Sequence, residues 1–175
     1  MIFVSAAGAA NPPETSMNPS SGEKMWVGTA PGGASAGEGS CVDTVNCDVF
    51  KITVLGEKSD WENDLIALHF AWNLGSNDYD FYIHRDAVDG PITSTGRNGG
   101  SPETTDDAAI DPAATGVGDY FVHVVYFAAV GVDQYRGTAK VESKITAERT
   151  ATYTKSNAKF SPNIALKAPV AGRDG

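Results

Sequence analysis

An all-β sandwich of about eight antiparallel strands is the fold class this 175-residue sequence predicts. Three observations carry it. Large apolar side chains alternate with polar ones in segment after segment, the period of a pleated strand. The 19 glycines and 9 prolines supply tight turns between those segments. No amphipathic stretch runs longer than two helical turns, so the strands must cover one another.

The organising stretch is Asp78-Tyr79-Asp80-Phe81-Tyr82-Ile83-His84. Tyr79, Phe81 and Ile83 fall on one face of a strand, Asp80, Tyr82 and His84 on the other. Before it, Ile66, Leu68, Phe70 and Trp72 form one row of a second strand, and Asn73–Asn77 is turn chemistry. Asp89-Gly90-Pro91 breaks the chain after it.

The remaining elements follow in order. Lys24–Ala30 is a first strand, and 31–40 is a Gly, Ala, Ser and Pro loop. In Asp48–Val54, Phe50, Ile52 and Val54 face inward. Residues 92–96 form a weak strand, and loops dominate 97–117 around one strand near Glu103. Gly118–Phe127 is apolar or aromatic almost throughout, as in a central strand covered on both faces. Tyr135, Gly137, Ala139 and Val141 make the apolar row of a half-buried strand. Residues 144–157 are a last strand or the start of a tail.

Three regions result. Residues 1–23 read as a flexible linker carrying the remnant of an export signal, with Ala7-Gly8-Ala9 resembling its end. Residues 24–155 form the sandwich, and 156–175 lead towards a further domain.

The formal net charge is −9 and the pI about 4.6. An acidic surface disfavours nucleic acid and anionic membranes. No apolar run approaches the ~20 residues of a membrane helix. Cys41 and Cys47 are close enough to close a small loop by a disulfide, which points to an oxidising compartment. The alternative is a free dithiol.

Asp48, Asp78 and Asp80 are the candidate calcium ligands, with Asp43 and Asn46 able to add oxygens. The competing reading has these acids capping turns. His69, His84 and His123 form a zinc triad if their strands adjoin on one face; otherwise they are isolated sheet residues. Tyr82, Trp61 and Tyr135 are candidates for stacking on a ligand, against a packing role. There is no Gly-x-Ser-x-Gly elbow and no phosphate-binding glycine loop, so the chain is read as no enzyme.

Three motifs occur in a familiar order: Cys47-Asp48-Val49-Phe50, Asp78-Tyr79-Asp80-Phe81-Tyr82 and Gly118-Asp119-Tyr120-Phe121-Val122. Across 24–143 the chain resembles the bacterial pre-peptidase C-terminal domains, which are similar to the collagen-binding domains of secreted collagenases. The resemblance implies a jelly-roll-like sandwich, secretion, and a non-catalytic accessory role beside a larger domain of the same chain. It implies an extracellular polysaccharide or protein polymer as target, and calcium in several relatives. The segment before the first strand departs from the collagen-binding pattern, offering only Glu14 and Glu23 as acids. The competing functions are a structural spacer that assists folding or export, and a small metal-dependent hydrolase built on the histidines.

Overall fold

The computed structural model describes residues 8–30, 32, 37–96 and 102–144. Ten strands run in chain order: β1 (Gly8–Asn11), β2 (Glu14–Met17), β3 (Lys24–Ala30), β4 (Cys47–Val54), β5 (Asp64–Trp72), β6 (Asp78–Arg85), β7 (Ile92–Gly96), β8 (Thr105–Ile110), β9 (Gly118–Ala128) and β10 (Asp133–Ser143). One sheet has the order β1-β3-β10-β5-β8, the other β2-β4-β9-β6-β7. Without β1 and β2, this is the eight-strand jelly roll, in which the chain crosses between two four-stranded sheets. The expected sandwich is therefore present, and all eight expected strands occur in it.

Two strands were not expected. β1 and β2 lie within 1–23, the stretch read as linker, and each extends one sheet by a strand. β2 pairs with β4 in parallel, an exception to the antiparallel pattern. Residues 1–7 of the expected signal remnant, the segment 145–157 and the linker 156–175 lie outside the described residues, whereas Gly8 and Ala9, read as its end, belong to β1. A compact unit covers Met1–Glu142, and a second, Ser143–Gly175, falls almost wholly outside them. No helix among the described residues is long and apolar enough to cross a membrane.

Alternation sets the core. Trp26, Phe50, Ile52, Ile66, Leu68, Phe70, Tyr79, Phe81, Ile83, Tyr120, Val122 and Val124 are all buried between the sheets. Burying each such side chain contributes about 1.5–3 kcal/mol. Trp26 stacks on Phe50 across the sheets, centroids 4.1 Å apart. Phe70 meets Phe81 edge-on at 4.5 Å.

The β3–β10 pair shows how glycine makes room for these rings. Gly28 lies opposite Tyr135 and Gly137 opposite Trp26. A Cβ on Gly137 would run into the Trp26 indole, and one on Gly28 into the Tyr135 ring. Gly137→Ala is therefore expected to destabilise the fold by about 1–3 kcal/mol through overpacking. Denaturant titration checks this, and an unchanged midpoint would mean that the indole swings aside freely.

Candidate functional site

The outward face of the β4-β9-β6 sheet carries Val49 and Lys51, then Phe121, His123 and Val125, then Asp80, Tyr82 and His84. β9 is central, and Tyr82 is in register with His123. His84 and His123 thus stand on adjacent strands and the same face. Their rings stack with centroids 4.2 Å apart and planes 28° apart. Each residue is only 3% exposed.

The turn that leads into the disulfide-closed segment reaches them through Glu38. Cys41 and Cys47 are bonded, with Cα atoms 5.4 Å apart, and Cys47 opens β4. Asn46 accepts from Val42 N–H at 2.7 Å and donates to the Ser40 carbonyl at 2.9 Å. Its own carbonyl accepts from Tyr126 N–H at 3.2 Å, fastening the loop to β9. A 3-10 turn, Glu38–Ser40, precedes the loop, entered from Gly37 at φ 119°, which favours glycine. The turn sets Glu38 against the histidines. Its Oε1 lies 2.9 Å from His84 Nε2 and 3.2 Å from His123 Nδ1.

His84 Nδ1 is 2.7 Å from the Gly90 carbonyl. A carbonyl only accepts, so this nitrogen carries the hydrogen. His84 Nε2, although within ion-pair distance of Glu38, lacks the alignment of a hydrogen bond, and His123 Nε2 is buried with no hydrogen-bond partner. Burial, then the neighbouring His84, holds His123 below the ordinary imidazole value, with Glu38 opposing. Glu38, His84 and His123 each offer a ligand atom within 4.8 Å of the other two, the only such group of three among the described residues.

The sequence-derived candidates fare differently. Of the three histidines, His69 is separated from the pair: it sits exposed on the outer face of the other sheet, 2.7 Å from Asp107. Glu38 was not foreseen, although it is the only charged residue in 31–40.

The three proposed calcium ligands do not converge. Asp48 points between the sheets, on the row of Phe50, Ile52 and Val54, and is 1% exposed. It accepts from Ala10 N–H at 3.0 Å, from Val49 N–H at 2.9 Å and from the Tyr135 hydroxyl. Asp80 lies on the opposite, outward face of the same sheet, with Tyr82 Oη 3.4 Å away. Asp78 is half-buried at the start of β6, before an irregularity in the β6–β9 register, and burial raises its carboxyl above the ordinary value. Asp43 accepts from Val49 N–H at 3.1 Å, so this acid and Asn46 stabilise the loop as turn caps.

Two of the proposed stacking aromatics are core residues. Trp61 is fully buried, its indole N–H donating to the Leu55 carbonyl at 3.0 Å. Tyr135 is 3% exposed, its hydroxyl committed to Asp48. Tyr82 alone stays half-exposed, on the histidine face.

Fold and site together define a disulfide-braced jelly-roll module with a buried histidine–carboxylate cluster under its loop. Among solved structures the chain is similar to the pre-peptidase C-terminal domain of collagenase from Bacillus anthracis. The match has 15% identity and a TM-score of 0.46, and covers 74% of this chain and 94% of that one. No family model and no curated protein matches the chain.

Proposed function

We propose that this chain is a non-catalytic accessory module of a secreted protein, holding a larger partner domain on an extracellular polymer. The observation that carries the reading is an open trough of about 620 Å³ on the outer face of the β1-β3-β10-β5 sheet. Asn11, Thr29, Asn73, Gln134 and Arg136 line it, with Val27, Ala71, Trp72 and Tyr135 among them. Polar side chains on a rigid sheet suit an extended chain of sugar hydroxyls or peptide groups better than a small apolar ligand. The Cys41–Cys47 bond favours an oxidising compartment, and the sequence motifs support the accessory role.

The test is retention on insoluble collagen, chitin and cellulose. One of the three is expected to retain the chain, and Gln134→Ala with Arg136→Ala to weaken retention about tenfold, the worth of one or two lost hydrogen bonds. Retention by none of them would leave the spacer reading in its place. Retention unaffected by the double substitution would move the contact away from this sheet.

A further inference from the structure

We propose that Glu38, His84 and His123 bind a divalent transition-metal ion of the zinc class, which pins the disulfide loop to the outer face of the β4-β9-β6 sheet.

The argument is a count of lone pairs and protons. His84 spends its ring hydrogen on the Gly90 carbonyl, so the neutral ring turns a bare Nε2 lone pair towards the Glu38 carboxylate, 2.9 Å away. Two lone pairs facing at that distance repel unless a cation lies between them. A proton on His84 would answer for that pair alone. His123 brings a second imidazole to the same oxygen, at 3.2 Å, as a hydrogen bond when Nδ1 carries the ring hydrogen and as a second ligand lone pair when Nε2 carries it, and its ring is stacked against the first. One divalent ion takes both imidazole lone pairs and the carboxylate together.

Distances and ligand chemistry agree with that assignment. Metal–ligand bonds of about 2.0–2.1 Å in a tetrahedron put ligand atoms roughly 3.3 Å apart. The present separations of 2.9 and 3.2 Å need only small movements to reach this. Imidazole nitrogen with one carboxylate suits zinc, and also copper or nickel, whereas calcium takes oxygen ligands. The Nδ1–H to backbone carbonyl bond of His84 is the outer-shell support that orients a metal-bound histidine. The cysteines are closed in their disulfide and do not compete. The ligands join strands β6 and β9 to the turn before Cys41, so an ion there ties the loop to the sheet.

The experiment uses the full chain, treated with chelator, then titrated with Zn²⁺ and separately with Co²⁺. Equimolar Zn²⁺ binding is expected, with a rise in melting temperature and visible Co²⁺ absorption bands of low-symmetry, four-coordinate type. Glu38→Gln, which lies on the loop and leaves the sheet intact, should weaken Zn²⁺ binding on the order of tenfold to a hundredfold. His123→Gln should abolish the Co²⁺ bands, while His69→Gln on the other sheet should change neither readout. No equimolar Zn²⁺ binding would overturn the proposal and leave a shared proton as the bridge. Binding lost in His69→Gln, or undiminished in Glu38→Gln, would place the ion elsewhere and overturn it as well.

Discussion

Asp133→Ala should lower the stability of the fold by about 2–4 kcal/mol, since it strips several part-buried donors of one acceptor. Asp133 opens β10 and is 4% exposed. Its carboxylate accepts from Leu74 N–H at 2.9 Å, from Asn73 N–H and Nδ2 at 3.2 Å, and from Gln134 N–H at 2.8 Å. Asn77, fully buried, reaches the same carboxylate at 3.4 Å. Asn77 also donates to the Tyr79 hydroxyl at 3.0 Å and accepts from Val130 N–H at 2.8 Å. The turn between β5 and β6 and the loop before β10 thus share one polar knot. Burial, then the charge of Asp133, holds the Tyr79 phenol protonated, well above its ordinary value. Alanine leaves the Leu74 and Asn73 amides without that acceptor in a part-buried setting. Asp133→Asn keeps one oxygen and should lose roughly half as much. Urea denaturation of the three proteins decides the matter, and a loss under about 1 kcal/mol for alanine would show that water replaces the carboxylate at little cost.

The eight jelly-roll strands were legible because each turns one apolar row to a single core, so the period of two survives in the residues. β1 and β2 were not, since neither carries that period. β2 buries only Met17 of its four residues, as an edge strand, and follows Pro12-Pro13, which reads as a break. Row parity also foretold more of the site than residue type did. Asp48 shares the parity of Phe50, Ile52 and Val54, and Tyr135 that of Gly137 and Ala139, so both were bound for the interior. Reading the acid as a metal ligand and the phenol as a stacking surface set chemistry above position. The two residues meet because an inward carboxylate needs a donor and an inward phenol needs an acceptor. The histidine pair was half legible: alternation put His84 on the outer row, but strand order alone makes β9 its neighbour and sends His69 to the other sheet. Glu38 reaches the pair through a loop whose path is fixed by the Cys41–Cys47 bond and the Asn46 side chain, neither of which has a periodic signature.

Asp48 should make stability depend on pH in the sense opposite to an ordinary salt-bridged carboxylate. Burial, with the charge of Asp43 adding to it, pushes the Asp48 carboxyl up to about 6, although the Ala10 and Val49 amides pull it down. The unfolded value is 3.8. Between those two values the folded chain holds the proton more tightly than the unfolded chain, so stability falls as pH rises. The contribution is fully present below the unfolded value and is lost as pH climbs through about 6. A difference of this size corresponds to about 3 kcal/mol. Asp78 is raised in the same sense and Asp119, bonded to Thr53 and Lys51, is lowered, so the wild-type curve mixes several groups. Asp48→Asn isolates the term. The amide keeps an oxygen for the Ala10 and Val49 amides and offers its NH₂ to the Tyr135 hydroxyl, with no charge to bury. Relative to wild type, this variant should gain about 2 kcal/mol of that between pH 4 and pH 7. Paired urea titrations across that range measure the gain directly. Parallel curves for the two proteins would mean that the Tyr135 hydroxyl and the two amides stabilise the carboxylate enough to cancel the cost of its burial.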